Sequence, residues 1–369
     1  MQVLRLREIL IMIMALASGM THASLLNTQK LDHAFEYINK LYVTTPPADF
    51  TEPALTGILQ GLDKHSQYLT KRDADFLKML THGGFVGIGV SLQKIHNDYI
   101  IASILPQSPA SDSDLNVGDI ITHIDDRPIQ NSDIIEVSQL IRGPENTIVK
   151  LTTKHSDSPV FIKRSKIDFE ELSFTRLPNN LGLIKINIFN EDTIKSLKSA
   201  LTSLSNTQAL IIDLRSNPGG LLFSALQATT FFLDYKTHKN ANITRIIDRE
   251  DTVHVPLPNQ SVDLYPNKPL FLLVGPKTAS GAEIFAAALK HHNRATLIGI
   301  PTNGKGTIQT LLPLDDGSML KLTTAYFTTP DGAAINNIGV APHHYTIADP
   351  FEAYHKAIDL INDLLTKQE

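Results

Sequence analysis

The 369-residue chain has no cysteine. That removes disulfides, thiolate metal sites and cysteine nucleophiles together. It has no basic block and a net charge of −5, so nucleic acid is not an expected partner; phosphate binding needs clustered Lys and Arg. No apolar run approaches the roughly 20 residues that a membrane helix needs. H-E-x-x-H and acidic clusters with ligand spacing are absent, so neither a metal nor another cofactor is expected. G-x-S-x-G is absent as well, which argues against the usual hydrolase elbow.

What is present is ordinary globular material, 42% hydrophobic and 19% charged, in a chain long enough for two or three cored domains. "MQVLRLREILIMIMALASGMTHAS" reads as a secretory signal: Arg5 and Arg7, a short apolar stretch, and small-x-small sites ending at Ala17 or Ala23. The expectation is an exported, periplasmic bacterial protein with no stable membrane span after signal cleavage.

Four textures follow. Residues 24–80 read as a helical region, in which Leu31, Phe35, Ile38 and Leu41 share helix spacing and "EPALTGILQGLDKHSQYL" is a second helix ending in a polar turn. Residues 81–168 turn to short strands with one helix, "SDIIEVSQLIRG". Residues 169–345 alternate strand and helix, which predicts a layered α/β core. Within them Tyr235 to Pro266 reads as an irregular surface insertion. Residues 346–369 form one amphipathic C-terminal helix.

Chemistry centres on "KTASGAEIFAAALKHHN". Ser280-Gly281-Ala282-Glu283 fits the capping box S-x-x-E, so Ser280 reads equally as a helix cap. As a nucleophile it needs a base and an oxyanion site. The Gly281 amide at the helix start, with Gly219 or Gly220 from "SNPGG", could supply the donors. None of the 14 histidines has a convincing setting for a base. Lys305, between two glycines before the strand "TIQTLL", is the candidate instead, with Gln309 sharing its side of the strand. A lysine base must be neutral, which requires desolvation, because free lysine titrates near 10.4.

These signals resemble, in order, the C-terminal processing peptidases, also called tail-specific proteases. "GGFVGIGVSL" and "SPASDSDLNVGDIITHIDDRPI" resemble that family's PDZ segments. "IIDLRSNPGGLL", "KTASGAEIF", "TNGKGTIQ" and "TTPDGAAINNIGVAPHH" resemble its core signatures. Where the family favours S-A-S-A-S-E, this chain has T-A-S-G-A-E. The resemblance implies an α/β (α+β multidomain) protein: a ClpP/crotonase-like protease core with an inserted PDZ domain and an N-terminal helical segment. It implies a Ser-Lys dyad of Ser280 and Lys305 oriented by Gln309, and an oxyanion hole of Gly219, Gly220 and Gly281 backbone. Gly87, Ile88, Gly89 and Val90 would then cradle a substrate's terminal carboxylate. Protein or peptide substrates with exposed C-termini are the implied partners, with room for an adaptor protein. The competing expectation is a catalytically inactive, PDZ-containing peptide-binding scaffold. Substrate identity and oligomeric state are not legible in the sequence.

Overall fold

The computed structural model describes residues 28–366 apart from 45–49, 82–83, 131, 133, 155, 157, 169–170 and 348–350. The signal-like segment lies outside the described residues. Among those described, no helix is long and apolar enough to cross a membrane.

Apolar runs such as "ALIID" and "LFLLV" are strands buried on both faces, as expected for a parallel sheet covered by helices. The central sheet has six strands. Leu172–Leu177 lies antiparallel to Leu181–Ile186; Ala209–Asp213, Leu270–Val274, Thr296–Gly299 and His344–Tyr345 follow in parallel. Ile184, Ile212, Leu272 and Leu297 stand in register across it. They face the helices Thr193–Ser203, Leu222–Thr229 and Gly281–His291. The alternate residues Leu181, Ile211, Phe271 and Ile298 face the other way, onto Ala353, Ala357 and Ile361 of the C-terminal helix Glu352–Thr366. That helix is therefore a layer of the core.

A second sheet closes over the helix layer. Met319–Thr328 pairs with Thr307–Pro313 on one edge, and with Gln67–Leu69 and Asn242–Ile247 on the other; Thr252–Pro256 completes it. Ile243, Ile246, Val255, Ala325 and Phe327 of this sheet join the same core as Phe285 and Leu289. Helix Gly281–His291 thus lies between two sheets, which explains why every residue from Gly281 to Leu289 is buried.

Two expectations need correction. Tyr235 to Pro266 is not an irregular insertion: it holds the hairpin Asn242–Ile247/Thr252–Pro256 and buries Tyr265. Its charged residues sit at the turn and on the outer face, and hid the pairing. Likewise Gln67–Leu69 is a strand, not a helix end, because its partner Met319–Lys321 is some 250 positions away.

Val90–Ile95, Asp98–Ile104, Ile120–Ile124, Ile148–Thr153 and Val160–Lys163 form a separate antiparallel sheet with helix Ile134–Ile141. It has its own core, including Tyr99, Ile101, Ile121, Val137 and Leu151. The chain enters and leaves this unit on the paired strands Gly84–Gly87 and Ser165–Asp168.

The corrected hairpin gives a test. Ile246 is 5% exposed, so Ile246→Ala should cost about 2–5 kcal/mol in unfolding free energy. A surface insertion would lose less than about 0.5 kcal/mol. Chemical denaturation separates the two.

Candidate active site

Ser280 sits where strand Leu270–Val274 has ended and helix Gly281–His291 begins. The intervening turn is pinned from below. Thr278 Oγ1 donates to the Leu214 carbonyl at 2.8 Å, and the Ala279 N–H donates to the Asn217 carbonyl at 3.0 Å. The turn drives Ser280 to φ 55°, ψ −121°, a left-handed conformation costly for a residue with a side chain. Strain of this kind, about 1–3 kcal/mol, persists where the surroundings over-determine it.

Glu283 supplies much of that determination. It is fully buried, and its carboxylate accepts four hydrogen bonds. Oε2 takes the Ser280 N–H and the Lys305 N–H, each at 2.9 Å. Oε1 takes the Gly304 N–H at 2.7 Å and the Thr302 hydroxyl at 2.5 Å. Thr302 Oγ1 also accepts from the Val340 N–H at 2.7 Å. Burial pushes the Glu283 carboxyl above the usual range, and its four hydrogen bonds work against that shift. The capping box seen in the sequence is formed, and it does more than cap. One oxygen ties the backbones of residues 280 and 305 together. The Glu283 amide also donates to the Ser280 carbonyl at 2.8 Å.

Lys305 is half-buried in the loop before strand Thr307–Pro313. Burial holds its ammonium below the ordinary lysine range; Lys321 pushes the same way and Glu283 opposes. Gln309 shares a face with Thr307, as expected, but its amide nitrogen donates to Thr307 Oγ1 at 2.7 Å and to Thr323 Oγ1 at 3.4 Å. Among the described residues, no hydrogen bond joins Ser280 Oγ, Lys305 Nζ and Gln309 to one another.

The glycines of "SNPGG" lie directly against the nucleophile turn. A Cβ on Gly219 would come within 2.7 Å of Ser280 Cβ and 2.9 Å of the Gly281 nitrogen. A Cβ on Gly220, at φ 130°, would strike the Phe189 carbonyl at 2.1 Å. Only glycine fits at either position. Their amides differ in what they bind. The Gly219 N–H donates to buried Asn217 Oδ1 at 2.8 Å and is used up. Gly220 is flanked by the bonds Phe189 N–H to Gly219 carbonyl and Leu221 N–H to Phe189 carbonyl, which leaves its own N–H turned away from that pairing. That leaves the Gly220 and Gly281 amides as the candidate donors beside Ser280.

Sequence reading missed a third wall. The turn Asp63–Ser66 packs onto the lysine sheet, with the Thr323 N–H donating to Ser66 Oγ at 3.1 Å and Thr323 Oγ1 to Asp63 Oδ1 at 3.2 Å. It brings His65 close to Lys305. Burial holds that imidazole below its usual range, and the charges of Lys305 and Lys64 add to the effect. In the sequence the turn shows as the polar "DKHS" after an apolar helix, and "GILQGLDKHSQYL" resembles the family's L-D-P-H-S-x-Y-L turn with Lys64 in place of proline, but neither places it against Lys305.

In the separate antiparallel unit, Gly87, Ile88, Gly89 and Val90 line one end of a small pocket with Leu92, Ser138, Ile141 and Arg142. Gly89 is at φ 85°, and a Cβ there would meet Ser108 Cβ at 2.2 Å. The Arg142 guanidinium is lowered to about 10 by burial and stays cationic at neutral pH.

Comparison with known proteins agrees with this geometry. Residues 180–346 match the model of peptidase family S41, and residues 100–154 match that of the PDZ domain. The chain belongs to the S41 C-terminal processing peptidases. Over 331 residues, 88% of this chain, it is 31% identical to the "Probable CtpA-like serine protease" of Staphylococcus haemolyticus. It is 32% identical over the same length to the protein of that name in Staphylococcus aureus strain N315. These matches span 66% of each relative's length. The solved photosystem II D1 C-terminal processing protease superposes with a TM-score of 0.59 at 26% identity, covering 87% of each chain. The S41 core with a PDZ domain, expected from the motifs, is the fold found.

The carboxylate tie can be tested. Glu283→Gln would aim an NH₂ at backbone donors, each mismatch costing about 1–3 kcal/mol. We expect a lower melting temperature, by scanning calorimetry, and loss of peptide cleavage. Unchanged values for both would show that Glu283 is dispensable.

Proposed function

We propose that this S41 peptidase is an exported serine endopeptidase that holds the C-terminal tail of a protein substrate in its PDZ domain and cleaves peptide bonds with a Ser280–Lys305 dyad. The observation that carries the reading is the shared carboxylate oxygen: Glu283 Oε2 fixes the backbones of both residues beside two glycine amides.

The step is acyl transfer. The neutral Lys305 amine takes the Ser280 hydroxyl proton as Oγ bonds to the substrate carbonyl carbon. The carbonyl oxygen becomes an oxyanion facing the Gly220 and Gly281 N–H groups, the kind of contact whose loss lowers kcat about 10²- to 10³-fold. Lys305 then gives its proton to the leaving amine as the C–N bond breaks. Water repeats the attack on the acyl-enzyme, passes its proton to Lys305, and Ser280 is regenerated. Gln309 keeps its amide oxygen for the lysine amine while its nitrogen is held by Thr307 and Thr323. All groups used belong to this chain or to solvent.

In the PDZ unit, the edge of Val90–Ile95 offers main-chain groups to an extended tail, and the Gly87–Val90 loop faces its carboxylate. The cation of Arg142 favours an anion at that end. Ile141, Leu92 and Val90 favour an apolar last residue.

Ser280→Ala and Lys305→Ala should each lower kcat/KM on a tailed peptide by at least about 10³-fold, while calorimetric titration shows tail binding unchanged. Full activity of Lys305→Ala would contradict the dyad; an inactive wild-type enzyme that still binds tails would favour the scaffold reading. The pH dependence has a definite sign. Lys305 works when deprotonated, and its pKa lies below the ordinary lysine range. The wild-type kcat/KM should therefore rise with pH and level off before that range is reached.

A further inference from the structure

The pocket of the PDZ unit stands between two walls, and one buried arginine joins them. The first wall is the loop Gly87–Val90. The second is the C-terminal turn of helix Ile134–Ile141, where Ile141 and Arg142 line the pocket. Arg164 follows strand Val160–Lys163 and is 6% exposed. Its Nε donates to the Ile141 carbonyl at 2.9 Å, and its Nη2 to the Leu140 carbonyl at 3.0 Å. Its Nη1 donates to Thr147 Oγ1 and to the Ile148 carbonyl, each at 3.0 Å. The next residue, Ser165, pairs with Gly87, where the glycine loop begins. The Arg164 backbone is fixed as well: its N–H donates to the Thr147 carbonyl at 2.7 Å, and its carbonyl accepts from the Asn146 N–H at 2.9 Å. Gly143 makes room for the side chain, since a Cβ there would come within 3.0 Å of the guanidinium carbon.

This arrangement meets an electrostatic difficulty. The last carbonyls of a helix lack partners within it, and that end carries about half a negative charge. Here the negative end lies at the pocket whose glycine loop suits a carboxylate. An anion placed there would be repelled by bare carbonyls. Leu140 and Ile141 supply two of those carbonyls, and Arg164 covers both with a cation. The flat fork of a guanidinium serves four acceptors at once better than the compact ammonium of a lysine would. The Asp125 carboxylate stands 3.7 Å from Nη2, beyond hydrogen-bonding reach, and is mostly in solvent, so it offsets the cation only in part.

We infer that Arg164 is a positioning residue for tail recognition: it ties the pocket helix to the strand beside Gly87 and sets a cation on the helix's carbonyl end, so that the pocket accepts a terminal carboxylate. Arg164 does not line the pocket itself. It acts through the backbone of Leu140 and Ile141 on one side and through the Ser165–Gly87 pairing on the other. The inference rests on the proposed PDZ reading and deepens it, because the preference for a free C-terminus then depends on a residue behind the pocket.

The test is calorimetric titration of the full chain, carrying Ser280→Ala so that nothing is cut, with one apolar-ended peptide in two forms. One form has a free C-terminal carboxylate and the other a C-terminal amide. The ratio of the amide to the acid dissociation constant isolates recognition of the anion. Arg164→Gln keeps donors for the carbonyls without the charge, Arg164→Met removes both, and Arg164→Lys keeps the charge. The two neutral substitutions should lower the ratio about five- to tenfold. Arg164→Lys should hold it within about twofold of the parent value. Melting curves establish that each variant is folded. In the active enzyme the neutral substitutions should raise KM on a tailed peptide while kcat is kept. A ratio left unchanged by both neutral substitutions, equal weakening of the two peptides included, would overturn the inference. Failure of the Gln and Lys variants to fold would overturn it too, since Arg164 would then be a structural residue only. If the parent protein binds acid and amide alike, it is the tail-carboxylate reading that fails, and the two failures are told apart.

Discussion

A single buried carboxylate organises this protein's candidate active site. Glu283 gathers three backbone N–H groups and one hydroxyl from two distant segments, the nucleophile turn and the lysine loop. A buried anion is tolerated only when its acceptor capacity is filled, and here four donors fill it. The consequence is reciprocal. The loop of residues 302–305 closes on the carboxylate, and its donors favour the charged form against the cost of burial. Thr302 extends the arrangement to the closing segment through the Val340 N–H, which binds a third stretch of chain to the same point.

The rest of the architecture serves that point. A parallel sheet fixes where strand Leu270–Val274 ends, and helix Gly281–His291 is gripped between two sheets, so its first residue has little freedom. The strain at Ser280 is borne by this packing. Close approach of Gly219 to the Ser280 side chain then leaves room for backbone donors and for nothing larger. The same rigidity creates an electrostatic problem. The carboxylate that places the lysine also favours its charged form, and burial opposes it.

Much of this was legible beforehand, and what was not has physical causes. Apolar runs such as Leu270–Val274 announce buried parallel strands because both faces are covered. Ser280, Lys305 and the paired glycines stood out because each broke the surrounding pattern. Glu283 was visible as half of a capping box, yet its three other partners lie some 20 residues downstream, and no local pattern shows them. The strand Gln67–Leu69 and the Asn242–Pro256 hairpin were hidden for a like reason, since pairing partners and register are decided by tertiary contacts. Gly219 and Gly220 look equivalent in the sequence; only the side chain of Asn217, folded back onto one amide, separates them.

The measurement that bears most directly on the account is an NMR titration of the Lys305 side-chain amine, selectively labelled, in the Ser280→Ala protein. The account predicts deprotonation below the roughly 10.4 of free lysine. A Lys305 amine that titrates at or above that value would contradict it, whatever the fold.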